Sequence, residues 1–165
     1  MSLVSSVIII VALVSLDQLI KYLVVTFLKP VETVEIIKNV LSFTYVENPG
    51  AVFGSFSSHT VILTIVTVLL LVVTIYIIAS KQIKSKFINV CLLLMVAGGI
   101  GNVIDRIRLH YVVDYIHPTF VNFAVFNFAD CLITVSAFAI LFSILFDLYK
   151  TELKPKIKSK SEKMK

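Results

Sequence analysis

Charged residues are scarce in this chain, and their scarcity restricts the class of protein. Only 15% of the 165 residues are Asp, Glu, Lys or Arg, 58% are hydrophobic, and the mean hydropathy is +0.99. A soluble domain normally carries about 25% charged residues, so an ordinary soluble domain is excluded. The net charge of +5 does not indicate nucleic-acid binding, because the lysines that produce it are concentrated in a polar tail and one short link.

Cysteine is also scarce, and the signatures of several enzyme classes are missing. Cys91 and Cys131 lie in different predicted helices, at depths that differ by roughly 20 Å, which is beyond the reach of a disulfide. We therefore expect free thiols, with Cys131 a packing residue and not a nucleophile paired with His117. There is no Gly-x-Ser-x-Gly or His-Glu-x-x-His motif, and His110 and His117 have no third partner, so we expect neither a metal nor another cofactor.

What the chain has in abundance is long apolar runs. Each supplies roughly the 20 residues that a helix needs to cross a hydrocarbon core about 30 Å thick. The first run carries Asp17 and Lys21 and lacks a basic leading region and a small-residue cleavage site, which favours an anchor over a cleaved signal peptide. The sequence therefore predicts an all-α membrane protein with four transmembrane helices. The runs are Leu3–Leu28, Val61–Ala79, Phe87–Ile104 and Ala129–Tyr149.

The distribution of lysine predicts the orientation. Ten of the fifteen Lys and Arg residues lie in the link after the second run or after Leu148, and basic segments of this kind stay in the cytoplasm. Both termini are therefore expected in the cytoplasm, with segments 29–58 and 105–128 outside. We expect residues 1–150 to form one transmembrane domain and residues 151–165 a disordered, basic cytoplasmic tail.

The first outer segment has a different periodicity. Leu41, Phe43 and Tyr45 alternate with the residues between them, which predicts a strand with one apolar face. The turn sequence Glu-Asn-Pro-Gly follows at 47–50. We therefore expect a small extracytoplasmic β-element between the first two helices. Asn48 can either form this turn or bond the backbone of an extended peptide, and the residues leave both interpretations open.

The segment from Ala97 to Asp130 concentrates carboxylates at the edge of the apolar runs, where uncompensated charges are costly and usually functional. Asp105 is expected to pair with the adjacent Arg106 or with Arg108. Asp114 has no adjacent cation, and neither has Asp130. Two such carboxylates held together share a proton and can hydrolyse a peptide bond, although a merely structural polar cluster is equally compatible with the residues. In the first helix, the i, i+4 spacing of Asp17 and Lys21 favours a structural ion pair.

Five short motifs in the sequence match those of a known protein family. In this order on a chain of this length they are specific, although each alone is weak. The motifs are Asp17-Gln18 with Lys21, Asn48-Pro49-Gly50-Ala51 with Phe53, Gly101-Asn102 with Asp105-Arg106, Val113-Asp114-Tyr115, and Phe126-Asn127 with Ala129-Asp130. With these motifs the chain resembles the lipoprotein signal peptidases (signal peptidase II), a family of bacterial intramembrane aspartyl proteases.

The resemblance implies an activity and a location. The expected activity removes the signal peptide from a diacylglyceryl-modified prolipoprotein, cutting before the lipidated cysteine. The enzyme would be a monomer in the bacterial cytoplasmic membrane, in contact with membrane lipid, with its active site near the outer face. Val52 and Cys131 depart from the family's usual residues, and Val52 bears on the details of substrate preference.

The resemblance also assigns residues. It makes Asp114 and Asp130 the catalytic pair, with Asp17, Lys21 and Asp105 as structural polar residues. The residues expected to bind substrate or shape the site are Asn48, Gly50, Arg106, Asn102 and Asn127.

The position of Asn127 suggests that Asp114 and Asp130 have different roles in catalysis. Asn127 stands three residues before Asp130, so it can cap the last helix and place Asp130 in the first turn, beside the positive end of the helix dipole. Asp114 lies among apolar residues, where the neutral form is easier to hold. We therefore expect Asp130 to act as the base and Asp114 to carry the proton.

Two other classes of protein remain as alternatives. A non-catalytic four-helix membrane protein, such as a small transporter or an assembly factor, could use the same polar cluster for packing or proton relay. A Gly-x-Gly-Asp type of intramembrane protease is disfavoured, because Asn102 stands where that motif needs an aspartate.

Overall fold

The computed structural model describes residues 2–50 and 56–153, with the backbone alone described at 56–59 and 152–153. Within these ranges four long helices are separated by short links and a small sheet. One π-helical turn, Val24–Leu28, extends the first helix, and another, Tyr149–Leu153, extends the last. The helices are α1 Leu3–Leu23, α2 Phe56–Ala79, α3 Lys86–Leu109 and α4 Phe128–Leu148.

All four helices are long and apolar enough to cross a membrane, which confirms the hydropathy prediction to within a few residues at each end. The tail from residue 154 onward, and Val52 with its neighbours, lie outside the described residues. The candidate spans are Leu3–Leu28, Thr60–Ala79, Lys86–Leu109 and Phe128–Thr151.

Helix α3 is the centre of the bundle. About 44% of an apolar 18-residue stretch of its span is buried, against 6% or less for the matching stretch of each other helix, so the others turn most of their apolar surface outward. A Cβ on Gly98 would collide with the backbone carbonyl of Ala129 in α4, and one on Gly101 would come within 2.5 Å of Asp17 Oδ2 in α1. These glycines therefore allow α1 and α4 to approach α3 closely, as small residues do in membrane proteins.

A three-stranded antiparallel sheet lies beside one end of the bundle, in the order β1-β2-β3. Strands β1 (Thr33–Ile37) and β2 (Leu41–Asn48) confirm the predicted β-element between the first two helices. Strand β3 (Val112–Pro118) comes from the α3–α4 connection and was not predicted. Its first four residues are all buried, so the alternation of apolar and polar residues that identifies a half-exposed strand is missing there.

The register of the sheet positions a predicted site residue. Val46 of β2 is opposite Asp114 of β3, and Asn48 is opposite Val112. The pairing is irregular between Phe43 and Val46, and such irregularities re-aim neighbouring side chains. The end of β2 therefore lies beside the start of β3, where Asp114 is the third residue.

Candidate active site

Polar side chains from α1, α3, β3 and the start of α4 meet at the end of the bundle next to the sheet. The six most buried of these polar residues are each 4% exposed or less. The helices around them are strongly apolar. Buried polar groups of this kind are costly unless they are paired. The six residues are Asp17, Lys21, Asn102, Asp105, Asp114 and Asn127.

Asp114 is held by two side-chain amides. Asn48 Nδ2 donates to its Oδ2 at 2.7 Å, and Asn127 Nδ2 donates to its Oδ1 at 2.6 Å. Burial raises the pKa of the Asp114 carboxyl from 3.8 to about 6, and the nearby charge of Asp130 acts in the same direction, against the lowering effect of the two amides. Asp114 is thus a carboxyl that can gain or lose a proton close to neutral pH.

Asp130 is built into the start of α4. Asn127 is the N-cap: its side-chain oxygen accepts from the Asp130 N–H at 3.0 Å, and its own N–H donates to Asp130 Oδ2 at 3.2 Å. This reciprocal capping box confirms the predicted cap and fixes the carboxylate at the positive end of the helix dipole. Asn102 Nδ2 of α3 donates to the other oxygen, Oδ1, at 2.7 Å.

One residue, Asn127, connects the two aspartates. Its side-chain nitrogen donates to Asp114 Oδ1 and also to Asn102 Oδ1, the latter at 3.1 Å. Its backbone N–H donates to the Asp130 carboxylate, and its side-chain oxygen accepts from the Asp130 N–H. Both amide hydrogens are used, so the side chain cannot rotate without breaking bonds to both sides. The structure therefore brings Asp114 and Asp130 into one rigid network.

A second layer of the cluster contains the ion pairs. Lys21 Nζ lies 3.0 Å from Asp17 Oδ2 and 2.9 Å from Asp105 Oδ2, which confirms the predicted Asp17–Lys21 pair. Lys21 also donates to Asn102 Oδ1 at 2.9 Å. Gln18 Nε2 bonds both Asp17 and Asp105, at 3.2 and 3.0 Å. All three donors of the lysine are satisfied, and one of them acts on the residue that holds Asp130.

The predicted pairing of Asp105 with Arg106 or Arg108 is wrong. Asp105 is 3% exposed and accepts from Lys21 and Gln18 of α1 and from the backbone N–H of Val113. Adjacent residues in a helix point about 100° apart, so Asp105 and Arg106 cannot face each other. Arg108 is exposed and does not pair with Asp105, whose buried cationic partner is Lys21 of α1.

Arg106 takes a different position, at the rim of the cluster. Together with Thr64 and Ile65 of α2 it lines a groove of about 340 Å³ between α2 and the end of α3. The charges of Asp130 and Asp114 act on its guanidinium, yet its buried Nε has no hydrogen-bond partner among residues 2–50 and 56–153. Arg106 therefore has hydrogen-bonding capacity left for another molecule.

The two interpretations of Asn48 are compatible. Its Oδ1 accepts from the Gly50 N–H at 2.8 Å and so forms the turn, while its Nδ2 reaches Asp114. Gly50 has a φ of +76°, and a Cβ there would collide with Leu63 of α2. The turn thus needs glycine for its own geometry, and it holds Asn48 against the buried carboxyl.

Tyr115 belongs to the site and was assigned no role from the sequence. Its hydroxyl accepts from the Phe128 N–H at 3.2 Å, which attaches β3 to the first turn of α4. The sequence does not predict this contact, because nothing in the connection between β3 and α4 indicates which residue of the strand faces the helix.

The histidine and cysteine candidates do not form a second catalytic or metal site in the described part of the chain. His117 Nδ1 is 3.2 Å from Thr44 Oγ1 on the sheet. Both cysteines are free thiols, as predicted, with Cys91 buried and Cys131 half-buried. In the described part of the chain, no group of three His, Cys, Asp or Glu side chains could hold a metal ion.

Four apolar helices around a cluster of buried polar side chains, with two carboxyls linked through Asn127, define a multi-pass membrane protein. A sequence model of signal peptidase (SPase) II matches residues 9–146. A lipoprotein signal peptidase of Streptococcus pyogenes serotype M1 is 40% identical over 131 residues, which cover 79% of this chain and 86% of the relative. The chain belongs to the signal peptidase II family.

Further similarities agree with this assignment. The lipoprotein signal peptidase of S. pyogenes serotype M5 (strain Manfredo) is 41% identical over 125 residues, which cover 76% of this chain and 82% of the relative. A bacterial membrane enzyme solved at 2.3 Å resolution superposes with a TM-score of 0.77 and 31% identity, covering 92% of this chain and 94% of the other. A second one, at 1.9 Å, gives a TM-score of 0.75 with 32% identity, covering 87% and 94%.

Proposed function

We propose that this chain is an aspartyl endopeptidase that removes the signal peptide of diacylglyceryl-modified prolipoproteins, cutting before the lipidated cysteine. Family membership makes the chain a protease of the signal peptidase II type. The observation that carries the finer proposal is that the Asn127 side chain donates to the Asp114 carboxylate while the Asn127 backbone N–H donates to the Asp130 carboxylate. Two carboxylates held in this way can supply the base and the acid of peptide hydrolysis without a metal.

In the proposed reaction Asp130 takes a proton from water as the water oxygen attacks the scissile carbonyl carbon. Asp114 gives its proton to the carbonyl oxygen, which produces a neutral tetrahedral intermediate. The intermediate then returns a proton from a hydroxyl to Asp114, while Asp130 protonates the leaving nitrogen and the C–N bond breaks. The products are the carboxyl end of the signal peptide and the free amine of the lipidated cysteine.

The raised pKa of Asp114 supports its role as the proton carrier. At a pKa of about 6, the carboxyl is protonated far more often than an ordinary aspartate at the same pH. A bound peptide would exclude further water, and desolvation disfavours the charged form. Asp130, at the helix N-terminus with two N–H donors, is the better placed to act as the base.

The rim residues provide the means to hold an extended peptide. Arg106 lines the groove with a buried Nε that has no partner in the described part of the chain, and a guanidinium can donate to peptide carbonyls. Asn48 and Gly50 lie at the end of strand β2, where the Asn48 side chain reaches Asp114. Asn102 and Asn127 position the two carboxyls and are the inner wall of the site.

The position of the site fits a lipid-anchored substrate. On the lysine distribution, both termini face the cytoplasm and the sheet lies on the outer face of the bacterial cytoplasmic membrane. A cysteine anchored by diacylglycerol would hold its preceding peptide bond at the same depth as the two aspartates. Anchoring turns the encounter into a search in two dimensions and orients the bond, which lowers the entropic barrier. We propose that the monomer is sufficient, because both carboxyls come from one chain.

Cleavage of a purified, lipidated prolipoprotein tests this function. Asp114→Asn and Asp130→Asn should each reduce release of the signal peptide by at least about 10³-fold while the protein still folds, since either change removes an essential proton-transfer group. Asp147→Asn is the matched control, because this exposed aspartate lies at the far end of the same helix as Asp130. Cys131→Ala should also retain activity.

Several outcomes would contradict the proposal. Robust turnover by either dyad variant would remove the assignment of the catalytic pair. Equal cleavage of a non-lipidated precursor would remove the requirement for the lipid anchor. A folded wild-type protein that cleaves neither precursor would favour a non-catalytic membrane protein.

A further inference from the structure

We propose that the end of the bundle farthest from the aspartates contains a binding site for an anionic phospholipid. A cavity of about 660 Å³ lies there, between the start of α1, the end of α2 and the start of α3. It has about twice the volume of the groove beside Arg106. This site does not depend on the proposed peptidase activity.

The inner wall of the cavity is apolar. Leu3, Ile78 and Leu93 contribute to it from three different helices. Leu93 is buried against the bundle, while Leu3 is 81% exposed, so the apolar surface continues to the outside of the helices. Surface of this kind within a bilayer is covered by hydrocarbon, and an acyl chain matches it.

The rim of the cavity is positively charged. Lys81, Lys84 and Lys86 all line it, and among the side chains that the structure describes no acidic one does. Within residues 2–50 and 56–153, none of these three lysines forms an ion pair. Three ammonium groups around one opening repel each other, and a bound anion would relieve the repulsion.

The start of α3 adds to the same positive field. Ser85 caps the helix, Lys86 is its first residue, and its first turn contains no acid. The N-terminus of a helix carries a partial positive charge and free N–H groups, which favour an anion and disfavour lysine. Lysines at this end of the helix are therefore unfavourable for the isolated protein, and a phosphate group would make them favourable.

Hydrogen bonds fix the link that carries the lysines. Asn89 Nδ2 donates to the carbonyls of Ile83 and Ser85, both at 2.8 Å, and folds the link onto the first turn of α3. Ser80 Oγ donates to Ile77 O at the end of α2. The rim is thus already ordered, so little conformational entropy remains to be lost when a headgroup binds.

An amphiphile with an anionic head fits this combination best. A soluble anion would leave the apolar wall uncovered, and a zwitterionic lipid would bring a cation to the three lysines. The depth of the lysines, at the ends of two candidate spans, is also the depth of lipid headgroups. A phosphodiester head at the rim with an acyl chain along the wall satisfies both surfaces.

Native mass spectrometry of the full chain in a neutral detergent tests the site. Phosphatidylglycerol should bind more tightly than phosphatidylcholine with the same acyl chains. The triple variant Lys81→Gln, Lys84→Gln, Lys86→Gln should weaken phosphatidylglycerol binding by about a hundredfold, because each cation near an anionic lipid surface contributes about 1 kcal/mol and tenfold in affinity is about 1.4 kcal/mol. The variant Lys154→Gln, Lys156→Gln, Lys158→Gln removes the same charge from the tail and should bind as the wild type does.

The other results would each overturn the proposal. Equal loss in both triple variants would show diffuse attraction to net charge. Competition by glycerol 3-phosphate would identify a soluble anion as the ligand, and a stable dimer that excludes lipid would identify a second copy of the chain. If the triple variant is unstable, the single variants Lys84→Gln and Lys86→Gln replace it, and both must lower the affinity.

Discussion

At the scale of single residues, Asp114 shows how competing effects set the state of one carboxyl. Two amide donors stabilise its charged form, and burial at 1% exposure opposes them. Burial prevails, because the pKa is raised to about 6. The site therefore holds an acid whose ionised form is tolerated at neutral pH and whose neutral form is within easy reach.

This raised pKa predicts a pH-dependent stability. Between about pH 4 and 6 the folded protein retains a proton on Asp114 that the unfolded chain has already lost, so folding stability falls as the pH rises. Above about pH 6 both states are ionised and the effect is constant. Asp114→Asn lacks this proton, so the Tm of the variant minus that of the wild type should rise from pH 4 to about 6.5 and then level off.

Thermal unfolding in detergent across this pH range provides the measurement. The change of this Tm difference with pH tests the raised pKa of Asp114. The size of the Tm difference at any one pH does not, because the substitution also alters the hydrogen bonds to Asn48 and Asn127. Asp147→Asn, at an exposed position, should show no such trend. A difference for Asp114→Asn that is flat with pH would contradict the raised pKa.

At the scale of the elements, α1 is joined to α3 by the buried lysine. Lys21 bonds Asp17 of its own helix and Asp105 of α3, and its third contact is Asn102, whose amide donates to Asp130. Lys21 therefore acts on a proposed catalytic group through an intermediate residue and is a positioning residue.

Lys21→Met should consequently affect both stability and catalysis. Leaving buried aspartates without their cation costs about 3–5 kcal/mol, which will appear as a lower Tm. Asn102 also loses a partner, so kcat should fall by about tenfold, equivalent to about 1.4 kcal/mol, with KM unchanged because Lys21 is not at the rim. Lys29→Met is the matched control, since the ion pair of Lys29 with Glu47 is exposed. A variant with normal Tm and kcat would show that the buried pair has neither role.

The elements also show what the sequence could predict. The helices and strand β2 follow from apolar runs and alternation, and the cap at Asn127 follows from local spacing. Strand β3 was missed because its buried residues do not alternate. The partner of Asp105 was misassigned because proximity along the chain favoured Arg106, whereas Lys21 reaches it only after α1 and α3 pack together. Local rules thus identified the residues, and the tertiary structure decided their partners.

At the scale of the whole molecule, the two ends of the bundle have different chemistry. One end has linked carboxyls beneath a sheet, and the other has lysines around an apolar cavity. The sheet is fastened to the end of α1 by Lys29, whose Nζ lies 2.8 Å from Glu47 Oε1 and 5.1 Å from the centre of the Tyr45 ring. Because this ion pair is exposed, it contributes little to the stability of the fold.

The pairing of Asp17 with Lys21 has a consequence for the synthesis of the chain. Asn102, a partner of Lys21 on α3, lies 81 residues further along, so at about 5–20 residues per second it appears about 4 to 16 s after Lys21. Throughout that interval α1 must reside in the membrane with a lysine that has no partner on another helix. The i, i+4 aspartate neutralises it within the same helix.

Asp17→Asn should therefore reduce the fraction of α1 that integrates when translation is arrested before α3, as measured by extraction of the nascent chain from membranes. The double variant Asp17→Asn, Lys21→Met removes both charges and should integrate at least as well as the wild type. Normal integration of the single variant would show that the lysine needs no early partner. Asp17, which pairs with Lys21 in the finished bundle, would thus also be the temporary counterion that the first helix carries until the third one is made.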